Sequence, residues 1–154
     1  MAQLKIQHCR AAYRNEIEIP MARIGGIINS DTLPIFRTFI DKVADAEPRS
    51  YILDFKHVSY MNSSGIGELI RLSDSFESFG GTFIITNPSA EVIQLIRLLG
   101  LDDMLPILPD PRYAVLLFKK GSFKNATIAI INRRLQEKTG VSQTVPAVPV
   151  IEPL

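Results

Sequence analysis

Two adjacent hydroxyls, Ser63 and Ser64, are the side chains best placed for chemistry, because they sit in Met61-Asn62-Ser63-Ser64-Gly65-Ile66-Gly67 between two contrasting patterns. Residues 51–55 (YILDF) read as a buried strand, and residues 66–79 place Ile66, Leu69, Ile70, Leu72, Phe76 and Phe79 at helical spacing. The serines therefore fall at a helix N-terminus, where unpaired N–H groups and the helix dipole favour negative charge. A phosphate placed there would be held locally and would change the surface offered to a partner. The plainer role for the same serines is helix capping. A serine hydrolase is the enzymatic alternative. The turn is not a Gly-x-Ser-x-Gly elbow, however, and no histidine follows it in the chain. Gly65-Ile66-Gly67 matches neither a P-loop nor a dinucleotide fingerprint. His8 and His57 stand apart with no metal-ligand spacing around them, so the expectation is no metal, no cofactor and no catalytic residue.

The elements that must position this turn are legible on both sides. Residues 4–9 alternate apolar and polar like a half-buried strand, and 16–28 supply one or two more, with Pro20 and Gly25-Gly26 interrupting or bulging the run. Asn29, Ser30, Asp31 and Thr32 offer caps for a helix to about Ala46, with Pro34 in its first turn. Residues 57–61 read as a connection into the serine turn. The helix beyond it is expected to expose Glu68, Arg71, Asp74 and Glu77 and to stop at Gly80-Gly81. Residues 82–86 form another apolar strand. Ser89 caps a helix whose stripe is Val92, Leu95, Ile96 and Leu99, and Gly100-Leu101 ends it. Residues 104–108 suggest an edge strand, and Asp110-Pro111 opens a last helix to about Phe118. This alternation predicts an α/β fold: a small mixed β-sheet, mostly parallel at its centre, covered by helices.

A chain of 154 residues fits one domain with a real core, and a net charge of +1 gives no general attraction to nucleic acid or anionic membrane. The single cysteine, Cys9, forms no internal disulfide and reads as a small core residue. There is no signal-peptide pattern and no apolar run long enough to span a bilayer, so a cytoplasmic protein without membrane insertion is expected. Residues 1–120 form the domain, 121–138 a mildly basic and apolar extension, and 139–154 a proline-containing flexible tail.

From about Leu4 to Phe118 the chain resembles the STAS domains, and within them the bacterial anti-sigma-factor antagonists. The resemblance rests on Gly26-Ile27-Ile28-Asn29, Tyr51-Ile52-Leu53-Asp54-Phe55, the serine turn, Gly80-Gly81-Thr82 and Leu98-Leu99-Gly100-Leu101, in that order. It implies a non-enzymatic, partner-switching regulator of transcription. A histidine-kinase-like serine kinase, itself the anti-sigma factor, would phosphorylate Ser64, with Ser63 as neighbour and minor site, and a metal-dependent serine phosphatase would reverse this. Asn29, Asp31, Asn62, Ser63, Ser64, Gly65 and Ile66 would form the partner-binding surface. The family commonly has aspartate where this chain has Asn29 and Asn62. Asparagine keeps a capping hydrogen bond but brings no charge. A second job for the same fold is a constitutive adaptor, or a cytoplasmic subunit of a lipid ABC transporter.

Overall fold

The computed structural model describes residues 3–13, 17–120 and 150–153. Along the chain the elements are β1 (Leu4–Tyr13), β2 (Ile17–Ile28), α1 (Leu33–Ala46), β3 (Ser50–Met61), α2 (Ser63–Phe79), β4 (Thr82–Thr86), α3 (Ala90–Leu98), β5 (Ile107–Leu108), α4 (Pro111–Lys120) and β6 (Val150–Pro153). They build one sheet in the order β5-β4-β3-β2-β1-β6. The strands from β2 to β5 run parallel, while β1 lies antiparallel to both β2 and β6. The α/β fold with a mixed sheet and a parallel centre is as expected.

From β2 to β5 each new strand takes the next place in the sheet, so crossovers of one hand leave α1, α2 and α3 on the same face. Their buried faces close the larger core: Phe36, Phe39, Ile40 and Val43 of α1, Ile66, Leu69, Leu72 and Phe76 of α2, and Val92 and Ile96 of α3. On the opposite face α4 buries Ala114 and Val115 over Cys9, Ile19, Met21, Ile52 and Ile84. Cys9 is thus a core residue, and burial pushes its thiol above the usual range.

Helix limits follow local chemistry. Gly80 ends α2 with φ 77° and its N–H on the last carbonyls, and Ser89 Oγ accepts from Val92 N at 3.2 Å to start α3. After α3 the Gly100 and Leu101 amides return to Arg97 and Ile96 at 2.9 and 3.0 Å, and Leu101 folds onto the core. Leu99, expected in the buried stripe, is exposed because the helix has already ended at Leu98.

The run of residues 17–28, read as one or two strands, is one strand, and its register shifts against β3 fall at the expected Gly25-Gly26. Pro20 is tolerated within it because Pro20 pairs with Arg10 of β1, while pairing with β3 begins only at Met21. The segment 57–61 is not a connection but the second half of β3, paired with β2 alone. Two register shifts there each place an extra residue in β3, so Phe55, Val58 and Met61 are buried at intervals of three. A period-two pattern cannot reveal such a strand. The expected edge strand at 104–108 shrinks to Ile107–Leu108. Of the C-terminal region, 121–149 and Leu154 lie outside the described residues; Val150–Pro153, placed within the expected tail, forms β6 against Cys9, Arg10, Ala11 and Ala12.

A buried carboxylate ties the centre of the sheet. Asp54 Oδ1 accepts from Thr86 Oγ1 at 3.2 Å, Asn87 Nδ2 at 3.0 Å and Lys56 N at 3.3 Å, and Oδ2 lies 3.5 Å from Arg23 Nε. Three strands and the exit from β4 therefore share one anion.

Gly26 sits in the second register shift with φ 108°, and a Cβ there would collide with the Gln3 carbonyl oxygen, which also accepts from Ile27 N. Gly26→Ala should cost about 2–4 kcal/mol from backbone strain and displaced packing. Urea unfolding of the variant should show a lowered midpoint with an unchanged slope.

Candidate functional site

The serine turn starts where β3 ends. Asn62 N still donates to Ile28 O of β2 at 3.0 Å, so the ladder continues to the last residue before the helix. Asn62 then caps α2: its backbone is extended (φ −91°, ψ 174°) and its Oδ1 accepts from Gly65 N at 3.0 Å. Capping is thus done by the asparagine, which leaves both serines free for other work. Ser63 and Ser64 occupy the first two helical positions with exposed side chains, and no described residue accepts from their backbone N–H groups. The first turn carries no acidic residue to offset the helix dipole.

At the end of β2 an asparagine also holds the turn, though the N-cap of α1 is Thr32, which makes no side-chain cap bond. Asn29 Oδ1 accepts from Asp31 N at 3.0 Å and Thr32 N at 3.2 Å, while Thr32 Oγ1 accepts from Asn29 N and donates to Ile27 O at 2.7 Å. Because Ile28 pairs with Met61, the two asparagine turns leave neighbouring strands side by side. Asn29, Asp31, Asn62, Ser63 and Ser64 therefore share one edge of the sheet, Asp31 exposed and both asparagines half-buried.

The glycines of the motif differ in their roles. Gly65 is buried, and a Cβ on it would come within 2.8 Å of Ile28 Cγ2 and 2.9 Å of Met61 Cγ, so it lets α2 close on the sheet. Gly67 is exposed, with nothing within 4 Å of a built Cβ. Ile66 is buried in the core and leaves the proposed contact surface. The resemblance placed it on that surface, whereas the apolar helical spacing put it with Leu69 and Leu72 on the buried face.

Two features near the turn escaped the sequence reading. Tyr60, 51% exposed, stands two residues before the cap, hidden as a signal by the displaced register of β3. Glu68, expected on the solvent face, is only 6% exposed. Its carboxylate accepts from Arg37 Nε of α1 at 2.7 Å and from Arg71 Nη2 at 2.7 Å and Nε at 2.8 Å; Arg71 Nη1 then reaches Asp41 at 2.7 Å. Burial pushes the Glu68 carboxyl upward, but the hydrogen bonds and charges of Arg37 and Arg71 outweigh it and hold the group below its ordinary range. The signal available in sequence was an acid one helical turn from Ser64 with arginine three residues on. Its other partner, Arg37, lies 31 residues away. Elsewhere, the exposed His8 tilts against Phe39 at 6.0 Å, and His57 is exposed on β3.

The STAS domain family model matches residues 13–114, and the chain belongs to that family. No curated protein matches it by sequence. Among solved structures, it is similar to an anti-sigma factor antagonist from Mycobacterium paratuberculosis (TM-score 0.60, 20% identity, 75% of this chain and 95% of that one). It is also similar to the unphosphorylated anti-sigma factor antagonist SpoIIAA (TM-score 0.56, 20% identity, 79% and 97%). A third likeness is to SLC26A9 (TM-score 0.60, 18% identity), of which the match covers 24% while spanning 77% of this chain.

The Glu68 cluster has a defined pH signature. A carboxyl depressed in the folded state adds stability above its unfolded pKa of about 4.3, lost as pH falls through the lower native value. Glu68→Gln should cost about 1–2 kcal/mol near neutral pH, allowing for the exposure of both arginines. The gap from the parent chain should close in acid, as read by urea midpoints across pH. The two glycines should separate as well. Gly65→Ala should destabilise by about 1–3 kcal/mol through overpacking, whereas Gly67→Ala should be neutral or stabilise by up to about 1 kcal/mol through helix propensity.

Proposed function

We infer that the protein is a non-enzymatic partner-switching regulator, in which phosphorylation of Ser64 controls binding to a serine-kinase partner of the anti-sigma-factor type. The observation that carries this reading is the pair of exposed serines on the first turn of α2, relieved of capping by Asn62 and set beside the Asn29 turn. A phosphate on Ser64 brings a charge of about −1.5 to −2. It meets unpartnered first-turn amides and an uncompensated dipole, so it is accommodated without disturbing the core. The same charge opposes a partner surface built to meet neutral hydroxyls. Ser63 is the secondary acceptor.

The partner contact in this reading consists of Asn29, Asp31, Asn62, Ser63 and Ser64, with Gly65 setting the turn and Tyr60 beside it. Gly67 supports it: an exposed glycine inside a helix weakens the helix and meets nothing within the chain, which suits close approach by another molecule. The protein SpoIIAA, to which this fold is similar, is known in both unphosphorylated and phosphorylated forms, which supports a phosphate-controlled role here. A metal-dependent serine phosphatase would reset the switch in the bacterial cytoplasm. Asn29 and Asn62 keep the turns but remove the charge that aspartates would add beside the acceptor, so the unphosphorylated edge differs from the family in electrostatics rather than in shape.

A constitutive role is the second reading, as an adaptor or as the cytoplasmic subunit of a lipid ABC transporter. The likeness to about a quarter of SLC26A9 favours it. Among the described residues no helix is long and apolar enough to cross a membrane.

Ser64→Asp separates the two. The switch predicts at least a tenfold loss of affinity for the kinase partner, about 1.4 kcal/mol or more. Ser64→Ala should bind like the parent chain and resist phosphorylation by that kinase. The aspartate should leave thermal stability unchanged or raise it slightly, since an acid in the first turn suits the dipole. Isothermal titration with the three proteins measures this. Equal affinities for Ser64→Asp and the parent chain would remove the switch and leave the constitutive adaptor.

A further inference from the structure

Among the described residues, the outer edge of β1 is paired for only part of its length. Among the described residues β6 covers Cys9, Arg10, Ala11 and Ala12, the last described pair being Cys9 with Pro153. Along residues 4–8, no strand lies on that side among the described residues. The edge is not bare, because α1 overhangs it. Between them runs an open groove of about 440 Å³, with Ile6 and His8 from the strand facing Ile35, Phe39 and Lys42 from the helix. Ile35 is 52% exposed in the first turn of α1.

The two faces of this edge differ in chemistry. Leu4, Ile6 and His8 point to the α1 side, where Leu4 and Ile6 pack partly on the core. Lys5 and Gln7 point to the other side and are exposed. Neither Lys5 nor Lys42 is ion-paired among the described residues. An added strand would therefore place alternate side chains in an apolar groove and the intervening ones beside a lysine.

The geometry points to strand addition at residues 4–8 by an extended segment of another protein, with apolar residues alternating with acidic ones. Backbone hydrogen bonds continue the ladder that β6 begins, apolar side chains fill the groove beside Ile6 and Ile35, and carboxylates meet Lys5. A second copy of this chain fits less well. Antiparallel pairing centred on Ile6 would set the two Lys5 side chains on one face at diagonal positions, about 7–8 Å apart. The lysine that discourages self-pairing is the one that selects an acidic partner. This surface is separate from the serine turn.

The test uses the whole chain and a fluorescein-labelled pentapeptide, Val-Glu-Val-Glu-Val, with a Val-Lys-Val-Lys-Val counterpart. Anisotropy should show the acidic peptide binding at least about tenfold more tightly. N-methylation of alternate peptide amides should abolish binding. Ile35→Asp, a change at an exposed position, and Lys5→Glu should each weaken it at least about fivefold, while Ser64→Asp should leave it unchanged. Amide shifts should centre on residues 4–8. The proposal is overturned by equal binding of the basic or N-methylated peptide, by no binding at millimolar peptide, or by shifts centred elsewhere. It is also overturned if ultracentrifugation shows a dimer through this edge, or if the amides of residues 4–8 already exchange slowly in the free protein, which would mean that the chain covers the edge itself.

Discussion

Parallel pairing of β2 with β3, carried to the final pair of Ile28 with Met61, is the constraint on which the rest of this molecule depends. Parallel strands require crossover helices, and the shared hand of those crossovers sets α1 and α2 beside each other on one face. Each helix starts where its strand stops. The common end of the two strands therefore brings Asn29 and Asn62 to one edge and presents Ser63 and Ser64 beside them. The register shifts in β3 and the strained Gly26 belong to this requirement, because the strands must reach that edge together despite their unequal residue counts.

The two turns satisfy their backbone amides with neutral groups, and Asp31 adds an exposed carboxylate beside them. Asn29 and Asn62 each take turn amides on a neutral oxygen, and the first turn of α2 holds no acid. The nearest buried charge, Glu68, lies one helical turn away and is neutralised by Arg37 and Arg71 rather than by the helix end. That network links α1 to α2 below the turn, so the two helices that frame the edge are joined by a charged contact as well as by the core. A negative charge at Ser64 would fall on a first turn that holds no acidic residue of its own.

The sheet carries its exposed edges differently. At one end β5 is only two residues long, which leaves little for another chain to pair with. At the other end β6 covers part of β1, and the remainder is guarded by Lys5 and overhung by α1. The serine turn and the uncovered part of β1 lie at separate places in the fold, so contacts at the two would not compete.

Much of this was legible in sequence where local chemistry decides the outcome. Helical spacing gave α1, α2 and α3, prolines marked the starts of α1 and α4, glycines marked the ends of α2 and α3, and the serine turn was placed between strand and helix. The motif order also pointed to the STAS family, which the match over residues 13–114 shows. What escaped depends on contacts distant in the chain. The second half of β3 is invisible to a period-two pattern because its extra residues are defined only against β2. Glu68 looked like a surface acid because its burial requires Arg37 from another helix. Ile66 and Ser64 are two residues apart, yet one is core and the other is surface, which only the docking of α2 on Ile28 and Met61 decides. Local spacing determined the elements and the chemistry of the turn. The choice of which faces met solvent and which met each other was made by tertiary packing, since burial is a property of pairs of elements and not of any one of them.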